Sequence, residues 1–149
     1  PDRTFREVFR VLKPGGLLAL STLGPDTLRE LRAVWHQIDD LEHVHLFIDM
    51  HDIGDALVRA GFVDMVMDTE LITLQYREPD GLFADLKRLG TGNLAPGRRK
   101  TLTGRGKVVK LRELFQEAQG PLSATLEVTY AHAWKTTPKV TAIPKVNLV

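Results

Sequence analysis

Residues 11–24 read V-L-K-P-G-G-L-L-A-L-S-T-L-G. Before them Phe5, Val8, Phe9 and Leu12 fall at helical spacing, with Asp2 placed to cap that helix and Pro14 to stop it. Gly15 and Gly16 turn the chain, and residues 17–20 follow as an unbroken apolar run. A strand apolar on both faces belongs inside a helix-covered parallel sheet. This one stretch therefore demands an α/β fold with a neighbour on each side of residues 17–20.

The remaining elements supply few such neighbours. Ser21, Thr22, Leu23 and Gly24 read as the exit from the strand. Pro25 suits a first helical position, and Leu28, Leu31, Trp35 and Ile38 make one stripe, so a helix is expected over 25–38. Residues 39–47 read as a loop. Asp49 is placed to cap a helix with Ile53, Leu57 and Ala60 inward, closed by Gly61. Residues 63–76 read as strand with an interruption near Asp68, since Ile72, Leu74 and Tyr76 alternate with Thr73 and Gln75. A helix over 79–89, a Gly- and Arg-rich loop over 91–106, and a helix carrying Val108, Leu111, Leu114, Phe115 and Ala118 follow, ended by Gly120 and Pro121.

The longest alternation comes last, over 122–134. It is expected to lie centrally, antiparallel to 17–20 on one side, with 71–76 on the other. The tail 136–149, with Pro138 and Pro144, reads as flexible.

Composition narrows the chemistry. The 149 residues contain no cysteine, which removes disulfides, thiolate metal sites and cysteine nucleophiles together. A net charge of +1 names no partner, so electrostatic arguments rest on local clusters. No apolar run is long enough to span a bilayer, and the first residues lack a signal-peptide pattern, so a cytoplasmic protein is expected. His43, His45 and His51, with Asp49 and Asp52, invite a metal reading; H-x-H alone is too common a pattern, and no metal is assigned.

K-P-G-G after an amphipathic helix resembles the step into the fifth strand of class I S-adenosylmethionine (SAM) methyltransferases. The continuation is more specific. S-T-L-G-P-D-T-L-R-E-L-R at 21–32, F-I-D-M-H-D-I-G-D-A-L-V-R-A-G-F at 47–62 and L-I-T-L-Q-Y-R at 71–77 come first. L-K-R-L-G-T-G-N at 86–93, G-R-R-K-T-L-T-G-R at 97–105 and A-T-L-E-V-T-Y-A-H-A-W-K at 124–135 complete the set. In this order they resemble the C-terminal half of the BioC-type malonyl-acyl carrier protein O-methyltransferase family.

The resemblance implies the C-terminal part of a Rossmann-like methyltransferase sheet: one parallel-type strand plus a final antiparallel pair, with a helical insertion. Residues 1–135 would be the C-terminal portion of a single domain whose cofactor-binding half is absent. SAM would then be the cofactor of the intact enzyme. None is expected for this chain, which lacks a Gly-rich turn after a strand; Gly104 and Gly106 follow no strand. The reaction implied is methylation of the free carboxylate of a malonyl thioester in biotin synthesis. That reaction needs no general base, and no catalytic residue is assigned.

Thr22, Leu23 and Gly24, at the C-terminal end of a parallel-type strand, are candidate walls of an acyl pocket. Arg98, Arg99, Lys100, Arg105, Lys107 and Lys110, with no acid among residues 98–110, are candidate contacts for an acidic acyl carrier protein. Nucleic acid is the rival partner for this run, weakened by the lack of interleaved aromatics, and is not assigned. The family pattern H-V-N-R-F stands here as His43-Val44-His45-Leu46-Phe47, so an arginine that could meet a carboxylate is replaced by leucine. Two alternatives remain: a same-fold relative acting on a protein side chain, as in mitochondrial complex I assembly factors, and a non-catalytic module using the basic loop.

Overall fold

The structure is a computed structural model and describes residues 1–90, 93, 97, 98, 101, 103–117 and 122–136. Three strands, β1 (Leu17–Leu23), β2 (Phe62–Tyr76) and β3 (Leu122–Lys135), form one sheet in the order β1-β3-β2. This is the order expected from the sequence. Gly15 N–H donates to Lys135 O and Gly24 N–H to Glu127 O, so β1 and β3 run antiparallel. Phe62 clusters with Ala131 and Ala133, whereas Tyr76 packs on the cluster holding Ala124, so β2 is antiparallel to β3 as well. Chain contacts divide the protein into two compact units. One holds Pro1–Leu20, His51–Met67 and the chain from Ala131; the other holds Ser21–Met50 and Asp68–Tyr130.

In the first unit, α1 (Asp2–Val11) and α3 (Met50–Ala60) bury one sheet face. Phe5, Val8, Phe9 and Leu12 of the α1 stripe meet Leu18 and Leu20, while Ile53 and Leu57 of α3 join Phe62, Ala131 and Ala133. Burying a side chain such as Leu57, with 0% exposure, stabilises by about 1.5–3 kcal/mol. Gly54 lets α3 approach closely, since a Cβ there would lie 3.1 Å from Met67 Sδ and 3.3 Å from Met65 Cε. The K-P-G-G turn closes with Gly15 at φ 74° and Gly16 N–H donating to Lys13 O. Lys135 then completes the end of α1: its Nζ donates to Phe9 O (2.6 Å) and Leu12 O (2.9 Å) and sits 4.7 Å from the Phe9 ring centroid.

Two readings of these elements change. Residues 17–20 are not covered on both faces, because Leu17 is 45% exposed and exposure alternates along β1. Trp134 and Val66 are also exposed. Strand β2 is continuous through Asp68; its irregularity is Asp64 at φ 49°, a left-handed residue of the kind that bulges a strand.

In the second unit, α2 (Arg29–His36) packs on α5 (Arg105–Glu117), and α4 (Pro79–Arg88) contributes Leu82 to the same core as Leu28, Leu31, Leu111, Phe115 and Ala124. Here the strand is longer and the helix shorter than expected. Thr22 and Leu23 belong to β1, and residues 25–28 form a turn rather than the start of a helix. The cause lies in where their backbone groups go. Gly24 and Leu28 N–H groups donate to Glu127 O and Thr125 O, and Asp26 N–H to Glu127 Oε2 at 2.6 Å. Thr27 Oγ1 donates to Glu127 O and accepts from Glu127 N–H. Leu28 is left at φ 55° as the residue preceding α2. The expected loop over 91–106 ends earlier, since Arg105 already opens α5. Ala118, Gly120, Pro121 and the tail from 137 lie outside the described residues.

Candidate functional site

Cavities of the second unit lie beside the segment joining α2 to α3. The larger, about 650 Å³, is walled by Leu23 at the end of β1, Leu28 and Leu31 around the start of α2, Leu126 of β3, and Leu86 and Leu89 at the end of α4. Val44 and Phe47 complete its apolar lining, and Thr27, His43, His45 and Asn93 are its polar side chains. Thr27 is engaged with Glu127, and Asn93 Nδ2 donates to Glu42 O at 2.6 Å. An apolar enclosure with few polar groups suits a ligand bound by burial and oriented at a few points. A smaller cavity, about 140 Å³, is walled by Arg32, Trp35, His36, His43 and Val44 among others.

His43 borders both spaces and is the best-held polar side chain there. Its Nε2 lies 2.7 Å from Asp39 Oδ1, and its ring stacks on Trp35 with centroids 3.7 Å apart and planes 5° from parallel. Asp39 also takes a hydrogen bond from Lys107 Nζ and one from Leu41 N–H at 3.1 Å. Burial opposes ionisation of Asp39, whose side chain is 12% exposed, but Lys107 and His43 outweigh it and hold the carboxyl far below the usual carboxylate range. An ionised carboxylate only accepts, so His43 donates through Nε2 and keeps Nδ1 for another partner. The pair was not legible as a site in the sequence. Its one signal was Asp39 and His43 four residues apart, in a stretch with no helical pattern; Lys107 is far off in the chain.

The structure separates the sequence-derived candidates. Of Thr22, Leu23 and Gly24, Leu23 lines the larger cavity. Gly24 is instead set against the Glu127 carboxylate, where a Cβ would fall 2.3 Å from Cδ. Of the basic candidates, Arg98, Arg105 and Lys110 are exposed, Lys107 is drawn onto Asp39, and Arg99 and Lys100 lie outside the described residues. His45 meets Phe47 edge-on at 5.6 Å. Among the described residues no group of three His, Asp or Glu side chains is arranged to hold a metal ion, and no helix is long and apolar enough to cross a membrane.

No family model matches the chain. Individual relatives do. It is 49% identical over 139 residues to the malonyl-[acyl-carrier protein] O-methyltransferase of Gallionella capsiferriformans, an alignment covering 92% of this chain and 48% of that protein. It is 50% identical over 145 residues to the protein of the same name from Methylovorus sp., covering 96% of this chain and 49% of the relative. The chain thus spans about half the length of the curated relatives it matches. Among solved structures, a Bacillus halodurans C-125 protein assigned as a methyltransferase superposes with a TM-score of 0.52 at 18% identity, covering 92% of this chain and 58% of that one. At that identity the likeness is one of fold, an α/β arrangement shared over most of this chain.

Proposed function

We propose that this chain, a member of the malonyl-[acyl-carrier protein] O-methyltransferase family over the half it spans, supplies the acyl-binding side of a SAM-dependent carboxyl methyltransferase acting in biotin synthesis. Residues 1–135 would be the C-terminal portion of one methyltransferase domain, with SAM held by residues outside them. A cytoplasmic setting and an acyl carrier protein partner belong to the same reading. The observation that carries it is the apolar cavity beside Leu23, at the strand end where α/β sheets place ligands.

The residues fit the chemistry. A malonyl carboxylate, with a reference pKa of about 4, is already a nucleophile at neutral pH. Attack on a sulfonium methyl needs in-line placement and a dry surrounding rather than proton removal. Leu28, Leu31, Val44, Phe47 and Leu126 supply the dry wall; Arg105 and Lys110 of α5, both exposed, supply positive charge for an acidic carrier. The test is methyl transfer from labelled SAM by the protein extended through its upstream half. Malonyl-carrier should be methylated and acetyl-carrier should not. Transfer to neither, by a folded SAM-binding protein, would remove this reading.

A further inference from the structure

We propose that His43 is the residue that recognises the terminal carboxylate of the acyl group, with Asp39 and Trp35 as the residues that position it. The inference rests on the reading that the larger cavity takes an acyl thioester, and it deepens that reading by assigning its polar contact.

Three observations support it. First, His43 is the polar side chain of the cavity wall with both low exposure and an open bonding site. Its side chain is 10% exposed, Nε2 is committed to Asp39, and Nδ1 is available. Thr27 and Asn93 already have partners, and His45 is exposed. Second, the ring cannot swing freely, because Trp35 covers one face in a near-parallel stack and Asp39 fixes one edge. A positioned ring loses little freedom on binding, which is how a single contact gives specificity.

Third, the surroundings of the ring are prepared for an anion. Asp39 is engaged by Lys107 Nζ as well as by His43 Nε2, so its negative charge is already matched before a ligand enters. The smaller cavity, which His43 also lines, is bounded by Arg32, whose Nη atoms donate to Pro25 O and Thr27 O at 3.2 Å. The Nε of Arg32 is buried without a hydrogen bond. Glu42 and His36 are the remaining ionisable groups on that wall. With a carboxylate at Nδ1 both ring nitrogens donate, Nε2 to Asp39 and Nδ1 to the ligand, and a charge-assisted hydrogen bond of that kind is short and strong. A neutral acyl group gains none of this.

The test compares malonyl- and acetyl-pantetheine thioesters on the complete enzyme carrying His43→Gln, by equilibrium binding and by KM. Malonyl affinity should fall roughly 10- to 100-fold, and acetyl affinity should change less than about three-fold. Asp39→Asn should move malonyl binding in the same direction, and His43→Phe, which keeps a ring on Trp35, should match His43→Gln. In the wild type, the His43 imidazole 15N signals should shift with the malonyl thioester and not with the acetyl one. Equal losses on both thioesters, or an unmoved imidazole signal, would overturn the inference. Failure of the two readings is distinguishable. His43-dependent malonyl binding without methyl transfer sinks the proposed activity alone, whereas methyl transfer with an unchanged KM in His43→Gln sinks this assignment alone.

Discussion

Glu30 accepts two hydrogen bonds from Thr125, one from the backbone N–H at 3.0 Å and one from the hydroxyl, across 95 residues of chain. Burial pushes the Glu30 carboxyl up, yet the Thr125 hydroxyl and N–H, its own N–H and Arg29 together hold it below its usual 4.5. That pair joins the first turn of α2 to β3 and leads to a pH-dependent expectation.

Glu30→Gln should lower stability by about 1–3 kcal/mol at pH 7, since Thr125 loses an ionised acceptor. The native carboxyl is held below its unfolded value, so the contribution is complete above that unfolded value and is lost as pH falls through the native one. Urea unfolding at pH 7 and in acid should show the mutant and wild type converging at the lower pH. A constant difference would mean that the carboxylate charge plays no part.

Lys135→Met should cost about 1–2 kcal/mol by removing the ammonium from the last carbonyls of α1 and from the Phe9 ring. Exposed Lys13 serves as the control, with an effect below about half a kcal/mol. Urea midpoints of the two variants decide it.

Gly61→Ala should be destabilising by more than about 1 kcal/mol. Gly61 sits at φ 100°, and a Cβ there would lie 3.1 Å from Phe9 Cζ, so strain and contact act together. A thermal midpoint equal to wild type would show that the turn after α3 relaxes without cost.

The chain by itself should not bind SAM or S-adenosylhomocysteine at micromolar concentration. No Gly-rich turn follows any of its strands; after β1 the chain runs Gly24-Pro25-Asp26 into contacts with Glu127. Calorimetry settles the matter, and saturable micromolar binding, which requires about 8 kcal/mol of interaction, would place a cofactor site within these residues.

Replacing Arg98, Arg105 and Lys110 by Ala in the complete enzyme should slow association with malonyl-acyl carrier protein several-fold and flatten its salt dependence. Methylation of a small malonyl thioester should be unaffected. Lys107 is left out of this set because it bonds Asp39, and its loss would disturb His43. Equal losses on carrier-bound and small substrates would mean that these charges shape the cavity instead of steering the partner.

Much of the architecture was legible because it is written in local period. The stripe of Phe5, Val8, Phe9 and Leu12, and the alternation over 122–134, each name an element from neighbouring residues alone. The start of α2 was not. Pro25 and Asp26 are good helix openers locally, but Thr125 and Glu127 draw the N–H groups of residues 24, 26 and 28 away, and that competition exists only once β3 has formed. The site failed to show for the same reason. Leu23 could be named as a candidate because it follows an apolar run in the sequence, whereas the Asp39–Lys107 bond depends on how α5 packs against α2.

The face-to-face contact between Trp35 and His43 gives the chain an optical handle. A ring held that close sets the surroundings from which the indole emits. The emission of Trp35 should therefore change when His43 is substituted, while the other tryptophan, Trp134, stands 41% exposed and away from that contact. The Trp35–His43 contact is thus readable in dilute solution from the protein's own emission, without a label.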